Sequence, residues 1–253
     1  MEFMDSGWDV KGIQKKILMS ATYRQSSQVT KASYERDPAN DMLARGPRFR
    51  MSSWMIRDAA LVVSGLLVEK MGGKPVQPYQ PEGIWKEATF GFTRYQQGNG
   101  EALYRRSLYT FWRRIVGPPV MFDSAARQVC EVKQQRTNTP LHALTTLNDV
   151  TYAEAARKFA ERLLHLNETQ EGELLQKAFQ MVTARMPKED ELSALHSALK
   201  KYQRHFSDRE EEARQVVSVG ESPTAKSLDP INHAAWSTLC LMLLNLDETL
   251  TKE

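Results

Sequence analysis

The chain has 253 residues, 41% apolar and 26% charged, with a formal net charge of +3. That balance belongs to an ordinary globular protein, long enough for one large domain or two modest ones with a real core. It leaves no place for a membrane-spanning helix, because no apolar run approaches the roughly 20 residues required.

The small net charge conceals an asymmetry. Residues 1–136 carry 21 basic and 13 acidic side chains, a net of +8, whereas residues 137–253 carry 13 and 18, a net of −5. Compensation between the halves is the simpler account, and an anionic partner for the basic half is the other.

The first stretch, MEFMDSGWDV, is acidic and lacks an apolar region, so it does not read as a signal peptide. Trp8–Met19 is predicted as an amphipathic helix, with Ser6 as N-cap, Asp9 three residues on, and Val10, Ile13 and Ile17 on one face. YRQSSQVTKASYERDPAND and LARGPRFR read as loops and turns broken at Pro38 and Gly46–Pro47. Ser52 or Ser53 caps a helix predicted to reach Lys70 and to stop at Gly72–Gly73, with Met55, Ala59, Val62, Val63, Leu66 and Leu67 as its buried stripe. KPVQPYQPEGIW carries three prolines in seven positions and must be extended or polyproline-like.

YRRSLYTFWRR, residues 104–114, holds two arginine pairs and four aromatics within eleven positions. It fits a strand or a helix, and aromatic and Thr content tilts it to strand. Interleaved basic and aromatic side chains can bind nucleic acid, but a net charge of +3 argues against that use. Guanidinium groups also fasten carboxylates and carbonyls inside folds.

From Thr139 the pattern becomes helical. Thr139–Pro140 is a cap followed by proline at the first position, ahead of Leu141, Leu144 and Leu147. Helices are predicted over Ala153–Leu166, Leu174–Thr183, from Pro187, and after Asp229–Pro230. Together they suggest a bundle. The fold class is therefore mainly α: residues 1–70 helical, an irregular Pro- and Arg-containing segment over 71–136 that can include short strands, and a helical bundle over 137–253, all in a single domain.

Local signatures of chemistry are missing from the sequence. The five histidines show no HxxxH, HxxH or HExxH pairing, and there is no CxxC, CxxCH, GxGxxG, Walker or GxSxG motif. Hence no metal and no covalently held haem is expected in this chain. Cys130 and Cys240 form no framework, and whether they pair stays open. Asp58, Asp123, Glu131, Asp149, Glu221 and Asp247 are the acids least obviously facing solvent, with salt bridging to arginine the simpler use for each. The candidate binding residues are Arg24, Arg48, Arg57, Arg105, Arg106, Arg136 and Asn138. The last two precede a helix start whose N–H groups could meet an anion, although capping alone also explains the segment.

SGWDVKGIQKKILMSATYRQSS, DPANDMLARGPRFRMSSWMIRDAAL, YRRSLYTFWRR, QRTNTPLHALTTLND, SVGESP and LLNLDET, in that order, resemble a planctomycete-specific C-terminal domain of unknown function found in cytochrome c-type multidomain proteins. The resemblance runs from about Ser6 to the C-terminus. It implies an exported parent protein whose haem sits in a separate cytochrome c-like domain, and a start upstream of Met1, so that the chain is truncated and apolar surface near Trp8 is uncovered. It supplies no activity. Two functions follow as expectations: a non-catalytic scaffold linking a haem-bearing domain with an extracellular polymer, or an enzyme acting on a polysaccharide through an Arg/carboxylate-lined cleft. Convergence of the arginines on one concave site with unpaired acids would favour the enzyme; their dispersal would favour the scaffold.

Overall fold

The computed structural model describes residues 1–88, 90–91, 94–111, 139–166 and 170–252. They fall into two compact units, Met1–Arg50 with Thr251–Glu253, and Met51–Leu250. The chain is mainly helical, with a single two-stranded sheet among the described residues.

The smaller unit contains α1 (Glu2–Asp5), α2 (Val10–Met19), α3 (Lys31–Arg36) and β1 (Phe49–Arg50). β1 pairs antiparallel with β2 (Thr251–Lys252), placing Phe49 opposite Lys252 and Arg50 opposite Thr251. The Lys252 ammonium lies 4.1 Å from the centroid of the Tyr23 ring.

Two expectations fail in this unit. Ser6 is not the cap of α2; it ends α1, and Asp9 caps α2 by accepting from the Gly12 N–H at 2.9 Å. The stretch read as loop holds α3, because Thr30 and Ser33 close a reciprocal capping box that stabilises even a short helix. Asp37 then organises the following turn by accepting from the N–H groups of Met42 and Asp41, the Met42 bond doing most to hold its carboxyl below the usual range.

The larger unit begins with α4 (Ser53–Ser64), which is shorter than expected. Gly65, not Gly72–Gly73, ends it, because Gly65 adopts φ 77°, a left-handed conformation that costs glycine no Cβ clash. Its buried face is also different: Ile56, Arg57, Ala60, Leu61 and Ser64 point inward, while Met55 and Val62 are exposed. Arg57 is tolerated on the inner face because acceptors wait there, as described below.

After α4 the chain is extended, and Val68 and Val76 form isolated parallel bridges with Arg105 and Thr110. The Pro-rich stretch packs into the unit in part, with Val76, Pro78 and Tyr79 buried. It leads into α5 (Ile84–Ala88). YRRSLYTF proves to be neither strand nor helix: Ser107–Tyr109 is a single 3-10 turn between the two bridges. Trp112, Arg113 and Arg114 lie outside the described residues.

The bundle comprises α6 (Pro140–Asn148), α7 (Val150–Leu164), α8 (Glu171–Thr183), α9 (Glu189–Ser207), α10 (Glu210–Val217), α11 (Pro230–Leu244) and α12 (Asp247–Leu250). Thr139 caps α6, and the ring of His142 accepts from the Thr139 N–H at 3.4 Å. Leu141, Leu144 and Leu147 do not enter the core and stay exposed. α7 and α11 pack against each other at the centre, with α4, α8, α9 and α10 around them. Tyr152, Phe159, Leu163, Trp236, Leu239 and Leu243 are almost completely buried between these helices. Each such side chain contributes about 1.5–3 kcal/mol by leaving water. α11 is buried on nearly every side rather than along one stripe, as a helix at the middle of a bundle must be. Cys240 within it is a free, buried thiol, and Cys130 lies outside the described residues.

Candidate functional site

Arg57 projects from the inner face of α4 and is fully buried. Its Nη1 donates to the carbonyl oxygen of Arg105 at 2.9 Å and to the Ser107 hydroxyl at 3.1 Å, while Nη2 donates to the Leu103 carbonyl at 2.7 Å. Asp58 is 3.7 Å from Arg57 and from the half-exposed Arg106, and its Oδ1 accepts from the N–H and hydroxyl of Ser107. Burial lowers the Arg57 pKa, and the Asp58 charge opposes that effect. Arg105 is also buried and donates to the carbonyls of Lys70, Gly72 and Lys74, with its guanidinium 3.9 Å from the Tyr109 ring centroid. Backbone carbonyls, more than carboxylates, therefore hold these guanidinium groups. That coordination fixes the irregular segment onto α4.

A second charged group lies at the heart of the unit. Glu154 and Arg157, three residues apart on α7, are both buried. Glu154 accepts from the Tyr79 hydroxyl at 2.9 Å, the Tyr104 hydroxyl at 2.8 Å and the Ser222 N–H at 2.6 Å, with Arg157 at 3.7 Å. Arg157 donates to the carbonyls of Val219 and Ser222. Tyr79 in turn accepts from the Glu221 N–H at 2.8 Å. Burial, reinforced by Glu154, pushes the Tyr104 hydroxyl up to about 12 and that of Tyr79 further. Both tyrosines stay protonated and donate. The result is a closed network that straps the 218–223 loop to α7.

A third feature is open. Gln80, Glu82, Gly83, Trp85, Lys86, Gly91, Arg94, Tyr95 and Gln97 line a cleft of about 430 Å³. Trp85 stacks on Tyr95 at 5.4 Å and on Phe111 at 5.9 Å between ring centroids. Tyr95 is locked by donating its hydroxyl to the Pro78 carbonyl at 2.6 Å. Trp85 donates its indole N–H to Gln80 Oε1. Gln80 Nε2 is buried with no hydrogen-bond partner among the described residues. Among those residues, no group of three or more His, Cys, Asp or Glu side chains is placed to hold a metal ion.

A family model described as PSD1, protein of unknown function (DUF1553), matches residues 1–199. The chain belongs to the PSD1 family. No curated protein and no solved structure matches it. The family match ends within α9, so SVGESP and LLNLDET, two stretches that carried the wider resemblance, lie beyond it. In this PSD1 chain the strap around Glu154 thus joins residues inside the matched region to a loop outside it.

Of the sequence-derived candidates, Arg57 and Arg106 come together around Asp58, whereas Arg105 offers only its backbone carbonyl there and turns its guanidinium to the carbonyls of Lys70, Gly72 and Lys74. Arg24 and Arg48 are exposed residues of the smaller unit, and Arg136 and Asn138 lie outside the described residues. Among the acids, Asp58 serves the arginines and Asp149 caps α7 through the Thr151 N–H at 2.9 Å; Asp123 and Glu131 are outside the described residues. Sequence reasoning missed Glu154 and Arg157. A signal was present: YAEAARKFAERLL places Glu154, Arg157 and Glu161 in one row beside the apolar face of α7, a position where charge needs partners. Missed as well was the cleft, whose polar side chains run from Gln80 and Glu82, in the segment read only for its prolines, on to Lys86, Arg94 and Gln97 beyond it.

Proposed function

We propose that the chain is a non-catalytic interaction module of a larger exported protein, placed beside a cytochrome c-like domain that carries the haem. The carrying observation is the engagement of Arg57, Glu154 and Arg157. These are the groups best suited by burial and charge to perturbed chemistry, yet each is occupied by internal partners. Catalytic acids and bases need a free face towards substrate, whereas these groups turn to partners inside the fold, and Arg57 Nε, which has no partner among the described residues, is itself buried. Planctomycete origin and the haem-bearing neighbour rest on the resemblance carried by the sequence motifs. They match a module with fixed internal wiring and exposed apolar side chains such as Leu141 and Leu144 that another domain could cover.

Cross-linking mass spectrometry on the full-length parent protein tests this. Cross-links between residues 139–166 and the cytochrome c-like domain, and no turnover on any of a panel of polysaccharides, are expected. Hydrolysis or eliminative cleavage abolished by Glu154→Gln, with the melt unchanged, would overturn it.

A further inference from the structure

We propose that the cleft between Gln80 and Gln97 binds a saccharide bearing carboxylate groups, with Arg94 taking the carboxylate. This deepens the interaction-module reading by naming the ligand class of one site, and it rests on that reading only in treating the site as non-catalytic. Several observations converge on it. Arg94, Lys86 and Glu82 line the cleft and make no hydrogen bond or ion pair among the described residues, so their capacity is uncommitted. Gln80 lines the cleft with one amide atom tied to Trp85 and the other buried without a partner among the described residues, a costly arrangement that a shift of the side chain onto a ligand's acceptor oxygen would relieve. Gln97 donates to Glu221 at 3.0 Å, which holds its side chain at the cleft wall.

Tyr95, partly exposed and stacked on the buried Trp85, gives the same cleft an aromatic surface, and each of the two rings is held by a hydrogen bond. An aromatic patch beside amides and charges of both signs suits a sugar, which offers C–H faces and hydroxyls that both donate and accept. Two cations against one carboxylate leave an excess positive charge, and a planar guanidinium pairs with a carboxylate through two hydrogen bonds. Free phosphate fits less well, because it would leave the aromatic surface of the cleft idle.

The test is calorimetric titration of the full chain with a galacturonic acid hexamer, alongside its fully methyl-esterified form, inorganic phosphate and a proline-rich decapeptide. The acidic hexamer is expected to bind with a dissociation constant below about 1 mM. Esterification, Arg94→Ala, or raising salt from about 0.05 to about 0.5 M should each weaken it by about tenfold or more. Arg94 is exposed and makes no hydrogen bond or ion pair among the described residues, so its variant should melt like the unaltered chain; Gln97→Ala provides a second variant in the cleft lining. No binding of the acidic hexamer at about 1 mM would overturn the proposal. Binding untouched by both variants, or tighter binding of phosphate or the peptide, would do the same. Cross-links to the cytochrome c-like domain should be unaffected by Arg94→Ala, which separates failure of this site from failure of the module reading.

Discussion

Gly220 approaches Glu154 so closely that a Cβ on the glycine would lie 2.2 Å from the Glu154 carboxyl carbon. Its φ of +87° adds a second constraint, since L side chains rarely take that conformation. Gly220→Ala must therefore move the loop or the buried carboxylate, and either movement breaks bonds to Tyr79, Tyr104 and Ser222. A loss of about 3 kcal/mol is expected from strain and overpacking together. For a chain of this size that is a drop of roughly 6–12 °C in Tm by scanning calorimetry. A variant melting within a degree of the parent would show that the loop is not strapped to α7 in this way.

Arg57→Lys is predicted to be nearly as damaging as Arg57→Ala. A lysine carries one nitrogen and cannot reach both the Leu103 and Arg105 carbonyls along the lines a planar fork satisfies. Either substitution leaves buried acceptors unmet at about 1–3 kcal/mol each. Arg105→Ala should likewise lower the melt, in contrast to the exposed Arg106, whose truncation should leave it within about 0.5 kcal/mol. Urea titrations of the four variants give the comparison. A destabilising Arg106→Ala alongside a silent Arg105→Ala would contradict the carbonyl-coordination scheme.

Arg185 links two acids, bonding Glu191 at 2.7 and 2.8 Å and Glu248 at 2.6 and 2.7 Å. Its guanidinium, with help from the Lys188 N–H, holds the Glu191 carboxyl down at about 2. A carboxylate depressed in the folded state stabilises the fold above its ordinary value near 4.5 and surrenders that stability as pH falls towards 2. Carbon-13 NMR titration should show Glu191 ionised at pH 3 to 4 (about one unit either way) in the parent protein. In Arg185→Ala the midpoint should return to the ordinary range; an unmoved midpoint would mean that another group holds the charge.

His233 shows the opposite case of a base kept neutral. It is buried on α11, 3.2 Å from the Arg157 carbonyl, and burial lowers its pKa. Because the unfolded chain takes up a proton near pH 6.5 and the folded one resists, stability is full above that pH and declines below it. Denaturation midpoints measured from about pH 7.5 down to about pH 5 should fall for the parent and flatten in His233→Asn. Equal slopes in both would assign the decline to other groups.

Much of the bundle was legible because its information is local. Phe159, Ala160 and Leu163 repeat at helical spacing, and Asp229–Pro230 announces α11 through the Asn232 N–H bonded to the Asp229 side chain at 2.7 Å. The face of α4 was misjudged because hydrophobicity ranked Met55 and Val62 above Arg57. What decided the matter was a set of backbone carbonyls at Leu103 and Arg105, and a carbonyl leaves no mark in a sequence. The 3-10 turn at Ser107–Tyr109 escaped for the same reason, since its shape answers to Asp58 nearly fifty positions earlier. Glu154 draws partners from positions 79, 104 and 222, so periodicity on α7 could show that it needed company but could not name it.

The β1–β2 ladder joins Phe49 and Arg50 to Lys252 and Thr251, and just inside it the Met51 N–H is bonded to the Leu250 carbonyl at 2.8 Å. During synthesis the front residues must therefore wait, without their pairing strand, until almost everything between has left the ribosome. Residues 51–250 can assemble in the interval, and Thr251 and Lys252 pair with β1 afterwards. Removing Thr251 and Lys252 would leave the bundle's own contacts in place and strip the early segment of its ladder, so trypsin should cut the variant first among residues 1–50.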